Sequence, residues 1–341
     1  MPHNAMQSYE IRPARTRREL DVMIGNAASV FQVHEGLFRD GVLRSPGHKL
    51  SHTRLAIYDG GIAGGVDVLH RVFRINGSNV PVGGIADVHT LPQFRGRGMA
   101  GALMRDAISY MKSRGYLLSV LFANLHDFYG KFGYACAPRP FYSIKSDAQA
   151  ARDRTIICRR SDYLESIPLL RDMYRDSDAP TRGLALRTPA YWAGIPMMHR
   201  HRKPFSIIAD VQDMPAGMIV LEPDAKKSRL LIGECHAPGA HPEAVCNALL
   251  REALDAVRGS GCESLGGFFP WQHPMAQAML EHGGAMQPNN DLMALVLDPE
   301  ALASATGITG QDGRPMDAAP AFLTRACANT GGFIMWDDDK F

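Results

Sequence analysis

Two stretches in the first half of the chain combine residue types and spacings that could do chemistry. Residues 83–100 read Gly-Gly-Ile-Ala-Asp-Val-His-Thr-Leu-Pro-Gln-Phe-Arg-Gly-Arg-Gly-Met-Ala. Ile85 to Thr90 has strand character, Pro92 stops it, and the basic turn Arg95-Gly96-Arg97-Gly98 opens a helix on which Leu103, Ala107 and Met111 share one face. A strand, a turn and a helix N-terminus form an anion site. First-turn N–H groups lack intrahelical partners, the helix dipole is positive there, and glycines let a phosphate approach the backbone. Two arginines add charge. A Walker loop would need Gly-x-x-x-x-Gly-Lys-Ser/Thr, and a dinucleotide fingerprint would need Gly-x-Gly-x-x-Gly with an acidic residue about 20 positions on; neither fits. A plain exposed basic turn is the alternative. The second stretch runs from Asn124 to Tyr134 as Asn-Leu-His-Asp-Phe-Tyr-Gly-Lys-Phe-Gly-Tyr, after the apolar run Tyr116 to Ala123.

The spacing Arg95-x-x-Gly98-x-Ala100 resembles the pyrophosphate signature of the GNAT superfamily of N-acetyltransferases, and Val88-x-Thr90-x-Pro92 resembles that family's fourth strand. The apolar strand, short helical turn and Gly-Tyr ending around Tyr129 resemble its next segment, in the right order and at the right distance. The resemblance implies acetyl-CoA as cosubstrate, held by Val88, His89, Thr90, Arg95, Gly96, Arg97, Gly98, Met99, Ala100, Asn124 and Tyr129. Backbone amides from Gly96 to Ala100 would hold the pyrophosphate, and Val88 and Thr90 would pair with the pantetheine arm like an added strand. An amide of Val88 or His89 would polarise the thioester carbonyl. Attack of an amine on a thioester expels a thiolate, and a phenol beside the sulfur can protonate it; Tyr129 matches that position. Packing beneath the sheet is the alternative for Tyr129 and the preferred reading for Tyr134.

The elements that position these residues follow in order. A short strand at Tyr9 to Pro13 leads to a helix around Thr16 to Ala28 with the stripe Leu20, Met23, Ile24 and Ala27. Phe31 to Val42 reads as a second helical or irregular segment; by the family resemblance this pair lines the acceptor side, which makes Phe31, His34, Glu35 and Phe38 substrate candidates. Asp59-Gly60-Gly61 marks a hairpin between strands at Thr53 to Tyr58 and Gly65 to Val72. Phe141 to Lys145 reads as the strand that closes the first domain.

A polar, alanine-rich shift at Ser146 to Asp153 sets a boundary. Residues 1–147 form the expected catalytic domain and residues 148–300 a degenerate repeat with the same order of elements, in which Ala237 to Pro242 occupies the turn position without an arginine. The fold class is α/β (α+β): two tandem GNAT folds with mixed, mostly antiparallel sheets flanked by helices. The tandem arrangement and the Arg187 to Trp192 element resemble Eis-like N-acetyltransferases over roughly residues 10–300. Those proteins commonly end in a sterol-carrier-type domain of roughly 100 residues, whereas residues 301–341 remain here.

The proton leaving the incoming ammonium has several candidate acceptors: Asp87 and His89 on the strand, Asp127, and the chain end. The end reads Phe333-Ile-Met-Trp-Asp-Asp-Asp-Lys-Phe341. In Eis-like relatives an aromatic last residue brings its carboxylate to the cleft, which implies that residues 301–341 return toward the active site. Phe341 or the Asp337 to Asp339 cluster would then receive the proton or bind a cationic amine; a solvated acidic tail is the alternative.

A net charge of +2 with scattered basic residues gives no reason to expect nucleic acid, and no apolar run approaches the about 18 residues that span a membrane. Met1 to Tyr9 is polar, which leads to an expected cytoplasmic location. Six cysteines without a Cys-x-x-Cys pair read as reduced thiols, and thirteen histidines without ligand-spaced company give no metal site. The resulting expectation is an N-acetyltransferase that moves an acetyl group to a primary amine of a small molecule, such as an aminoglycoside-like, polyamine or amino-acid-derived acceptor. An acyl-CoA-binding sensor or inactive scaffold and a protein lysine or N-terminal acetyltransferase are the alternatives. Homo-oligomer formation is left open.

Overall fold

Asp59 and Gly60 both take positive φ (49° and 73°), the backbone of a two-residue hairpin turn whose twist matches its strands. It joins β2 and β3 in the following order. The first elements are β1 (Glu10–Pro13), α1 (Arg17–Phe31), α2 (Glu35–Leu43), β2 (Thr53–Tyr58), β3 (Gly61–Ile75) and β4 (Ser78–Thr90). Then come α3 (Met99–Ser113), β5 (Leu118–Phe122), α4 (His126–Gly130), β6 (Ala135–Cys136) and β7 (Arg139–Lys145). The second half contains β8 (Ile156–Asp162), α5 (Tyr163–Ser177), α6 (Pro189–His199), β9 (Phe205–Val211), β10 (Met214–Asp224), β11 (Arg229–His236), α7 (Pro242–Ser260) and β12 (Ser264–Phe268). It ends with α8 (Pro274–Glu281), β13 (Ala285–Asn289), β14 (Leu292–Val296), α9 (Pro299–Thr306) and α10 (Ala319–Ala326). This computed structural model describes residues 8–43, 45, 47–149, 154–177, 185–199, 202–224 and 228–326.

Helix α1 begins where Thr16 accepts the Glu19 N–H at 3.2 Å, and its buried residues Leu20, Met23, Ile24 and Ala27 are the stripe read from the sequence. The buried stripe of α3, Met99, Leu103, Met104, Ala107 and Met111, packs with Val66, Val68 and Ile85 on one face of the first sheet. Leu20, Met23 and Ile24 of α1 pack with Leu55 on the other face.

The two seven-stranded sheets run β1-β2-β3-β4-β5-β14-β6 and β8-β9-β10-β11-β12-β7-β13. Laid side by side, the two orders correspond strand for strand, and each contains one parallel pair, β4 with β5 and β11 with β12. Two strands are exchanged. The expectation that Phe141 to Lys145 closes the first sheet is corrected: β7 lies between β12 and β13 in the second sheet, while β14 fills the equivalent position between β5 and β6. At the crossing, Arg139 donates to Asp291 at 3.0 Å and its guanidinium lies over the rings of Phe122 and Phe268. Beyond β14, Asn76 and Ser78 donate to the carbonyls of Thr306 and Ala305, and Phe322 of α10 is buried with Phe73 and Val80. The segment 299–326 therefore packs back on the first sheet. Asp337 to Asp339 and Phe341 lie outside the described residues.

Candidate active site

β4 and β5 pair only from Val82↔Leu118 to Gly84↔Val120. Beyond Gly84, β4 continues to Thr90 bonded to β3 alone, while β5 turns its other edge to β14. The strands diverge, and the β4 edge from Ile85 to Thr90 keeps backbone donors and acceptors for an extended ligand. Within that edge the register against β3 slips between Gly65↔His89 and Asp67↔Ala86. Asp87 takes a φ of 58°, a left-handed conformation unusual outside glycine, so Asp87 and Val88 bulge toward the opening.

Pro92 starts a single 3-10 turn, and Gly96 and Gly98 then both take φ of 78° before α3 begins at Met99. Gly98 caps α3 with no side-chain hydrogen bond, which leaves the first-turn amides pointing outward. Arg95, Gly96, Arg97 and Gly98 are exposed. Arg97 donates to the Tyr58 hydroxyl at 2.5 Å and stacks over that ring, which tilts against Phe94. Arg95 donates to the Thr90 carbonyl at 3.3 Å.

Opposite this edge, α4 carries Tyr129, 8% exposed, with its ring edge-on to Phe128 and Tyr134. Burial raises the Tyr129 phenol above its usual range, which keeps it protonated and able to donate. Tyr134 is a packing residue: its hydroxyl lies 2.6 Å from Ser119 Oγ, which donates to the Gly83 carbonyl at the closed end of the divergence. One cavity of 340 Å³ is lined by Val88, His89 and Thr90, by every residue from Phe94 to Gly101, and by Val30, Leu125, Phe128 and Tyr129. Of the residues that the sequence associates with the cofactor, it brings together Val88, His89, Thr90, Arg95, Gly96, Arg97, Gly98, Met99, Ala100 and Tyr129. Asn124 is exposed between β5 and α4 and does not line it.

Asp87 and His89 stand at the bulge. The His89 imidazole is buried, and its Nδ1 lies 2.8 Å from the Asp87 carbonyl. A carbonyl can only accept, so Nδ1 carries the proton and Nε2 is the basic nitrogen. Burial lowers the His89 pKa against the smaller opposing effects of the Asp87 carbonyl and the Asp67 carboxylate. Burial first, and then the Asp67 charge, push the half-buried Asp87 carboxyl well above the usual carboxylate range. Asp67, wholly buried on β3, was not singled out from the sequence; a carboxylate in the otherwise apolar run from Ala63 to Leu69 was the available signal.

The acceptor-side candidates lie further out. Phe31 and Phe38 stack at 5.6 Å, Phe31 is exposed, Glu35 pairs with Arg39 at 2.6 Å, and His34 Nδ1 accepts the Gly36 N–H at 3.1 Å. None lines the cavity, to which α1 contributes Val30. Asp127, on the exposed side of α4, also stays outside it.

The second unit has the same divergence, since β11 and β12 pair only from Arg229↔Ser264 to Ile232↔Gly267. There buried side chains crowd the ends of the two strands. A Cβ at Gly267 would meet the buried Phe269 ring at 2.6 Å, and Glu234 is engaged by His236 at 3.0 Å and Arg187 at 2.9 Å, all buried. Among the described residues no group of three or more His, Cys, Asp or Glu is arranged to hold a metal, and no helix is long and apolar enough to cross a membrane.

Residues 10–137 match the family model described as an acetyltransferase (GNAT) domain. No curated protein matches the sequence. Among solved structures, a GCN5-related N-acetyltransferase from Anabaena variabilis is 18% identical, with 85% of this chain and 73% of that chain covered at a TM-score of 0.69. Eis1 from Mycobacterium abscessus is 20% identical, with 87% and 76% covered at 0.63. A tandem GNAT protein from the clavulanic acid biosynthesis pathway is 11% identical, with 86% and 99% covered at 0.55. These likenesses carry the fold: two GNAT-like units in tandem, the first of which matches the family by sequence.

Proposed function

We propose that this chain, whose residues 10–137 match the acetyltransferase (GNAT) domain model, is an acyltransferase that moves an acetyl group from acetyl-CoA to the primary amine of a small molecule. One observation carries the reading: a single cavity is lined at once by the open β4 edge, the glycine turn before α3 and the Tyr129 phenol. The residues fit the cosubstrate. The turn's amides and arginines suit a pyrophosphate, and the unpaired edge at Val88 suits the amides of a pantetheine arm.

The amine nitrogen attacks the thioester carbonyl directly, and the Val88 N–H stabilises the developing oxyanion. As the carbon–sulfur bond breaks, the Tyr129 O–H protonates the departing thiolate. Either the basic Nε2 of His89 or the Asp87 carboxylate receives the ammonium proton. The test is thiol release from acetyl-CoA across a panel of primary amines. Amine-dependent release supports the reading, whereas acetyl-CoA binding with no release on any amine would leave a sensor or scaffold.

A further inference from the structure

Two residues carry the chain from the second sheet to the first beside the helix that bears Tyr129. β13 ends at Asn289, paired with Arg139 of β7, and β14 begins at Leu292, paired with Phe122 of β5, so Asn290 and Asp291 are the whole connection. Both of their backbone carbonyls are taken by the segment between β5 and Tyr129. The Asp291 carbonyl accepts the Ala123 N–H at 2.8 Å, just past the end of β5. The Asn290 carbonyl lies 2.9 Å from Nε2 of His126, the first residue of α4. A carbonyl only accepts, so Nε2 carries the proton of that bond.

α4 needs such anchors. It is a single turn of five residues, and Leu125 at its N-cap supplies no side-chain hydrogen bond. A helix this short does not hold itself, because its first turn fixes several backbone angles in return for one hydrogen bond. Its place is set by what it touches: Tyr129 shares a core with Met293 and Leu297, and His126 is bonded to Asn290. His126 and Tyr129 are three residues apart and therefore neighbours on the turn, so a bond that fixes the first also fixes the rotation at which the second meets the cavity.

The connection is itself held firmly. Asp291 Oδ1 accepts from Arg139 Nη2 at 3.0 Å, and the Asp291 N–H donates to Asn289 Oδ1 at 3.0 Å. Arg139 is 4% exposed, with its guanidinium 4.0 Å from the centre of the Phe268 ring, and no described residue bonds its Nε or Nη1. Among the described residues Asp291 is the carboxylate that balances this buried charge. Moving Asp291 away would leave the charge uncompensated, which holds the connection in place.

We propose that the Asn290–Asp291 connection is an anchor through which the second half of the chain sets the position of Tyr129, with His126 as the positioning residue on α4 and Arg139 holding Asp291. The role rests on the acetyl-transfer reading, in which Tyr129 is the acid. His126 does not line the cavity and takes no part in the proton steps; it acts through Tyr129.

The anchor is tested first without turnover, by hydrogen exchange of the backbone amides of the full chain. In His126→Ala the amides of Phe128 and Tyr129, which bond the Leu125 carbonyl, should exchange at least about tenfold faster, with the amides of β3 and β4 unchanged. The kinetic test is kcat for amine-dependent thiol release. His126→Ala should lower it about tenfold, since a small displacement spoils a proton transfer, and leave acetyl-CoA affinity within about twofold. His126→Gln, whose side-chain N–H can reach the same carbonyl, should recover most of the loss. In a Tyr129→Phe background His126→Ala should change kcat by less than about twofold, because a residue that acts through the phenol has nothing left to position. Unchanged exchange in α4, an unchanged kcat, an equal loss in both backgrounds or no recovery in His126→Gln overturns the anchor. Absent thiol release from the wild type, with exchange in α4 as expected, overturns the acetyl-transfer reading instead and leaves the anchoring of α4 standing. Should His126→Ala fail to fold, His126→Asn, polar but too short to reach the carbonyl, takes its place with the same expected results.

Discussion

At the scale of the single residue, burial decides which protonation state each group of the cleft can offer. Tyr129 is kept as a phenol by its seat beneath β4, and its place was legible because a tyrosine in a short helical turn before Gly133-Tyr134 is a local pattern. Asp67 was not legible as a neighbour of Asp87 and His89, because their meeting depends on the β3–β4 register and its bulge. Arg97 is exposed, donates to the Tyr58 hydroxyl and stacks on its ring at the proposed pyrophosphate turn. Arg97→Ala should weaken acetyl-CoA binding by about 1–3 kcal/mol in a calorimetric titration through loss of a charge-assisted hydrogen bond. Unchanged affinity would move the pyrophosphate elsewhere. A second prediction concerns His52, whose imidazole is held down at about 4, first by burial and then by the charges of His48, His70 and Lys49. The unfolded imidazole titrates near 6.5, so between that pH and about 4 the unfolded chain binds a proton that the folded chain refuses, and stability falls as the pH drops. Denaturant unfolding at pH 7 and pH 4 should show the wild type losing about 2–3 kcal/mol more than His52→Gln. Equal losses would contradict the buried neutral state.

At the scale of the element, the site depends on the shape of β4. The hydrophobic alternation and the glycine-basic turn made strand, turn and helix readable, and the buried stripes of α1 and α3 fall on the residues that periodicity picks out. The bulge at Asp87 and the early end of β4–β5 pairing were not readable, since both arise from register against neighbouring strands. Gly64 gives this a test. A Cβ at that position would lie 2.5 Å from the His89 carbonyl oxygen and 3.2 Å from Thr90 Cα, both on the backbone of β4, which cannot rotate away as a side chain would. Gly64→Ala should displace the edge proposed to receive the pantetheine arm and lower kcat/KM for acetyl-CoA by at least about tenfold, with the circular dichroism spectrum retained. An unchanged kcat/KM would show that the edge is not the binding strand.

At the scale of the whole molecule, the exchange of β7 and β14 makes each unit complete only with a strand from the other half. Sequence could place both strands but not their partners, because a strand of five to seven residues carries no record of which sheet it enters. The exchange also reaches the site: Met293 and Leu297, at and just after β14, share a core with Tyr129, and Leu295 lies against Gly133. Residues 1–147 expressed alone would lack the strand between β5 and β6 and leave the Tyr129 seat open, so that fragment should aggregate or remain unfolded by circular dichroism and sedimentation. A stable, folded monomer would contradict the interdependence of the halves. The second half contributes β14 to the first sheet, and none of the cavity-lining residues comes from it. The proposed acetyl transfer turns on Tyr129 protonating the departing thiolate in the cavity lined by β4, α3 and α4. The most direct test is kcat for amine-dependent thiol release by Tyr129→Phe, with acetyl-CoA affinity measured on the same preparation. A fall of about 10²–10⁴-fold with affinity nearly intact is expected; a kcat equal to that of the wild type would contradict the role of Tyr129 as the acid.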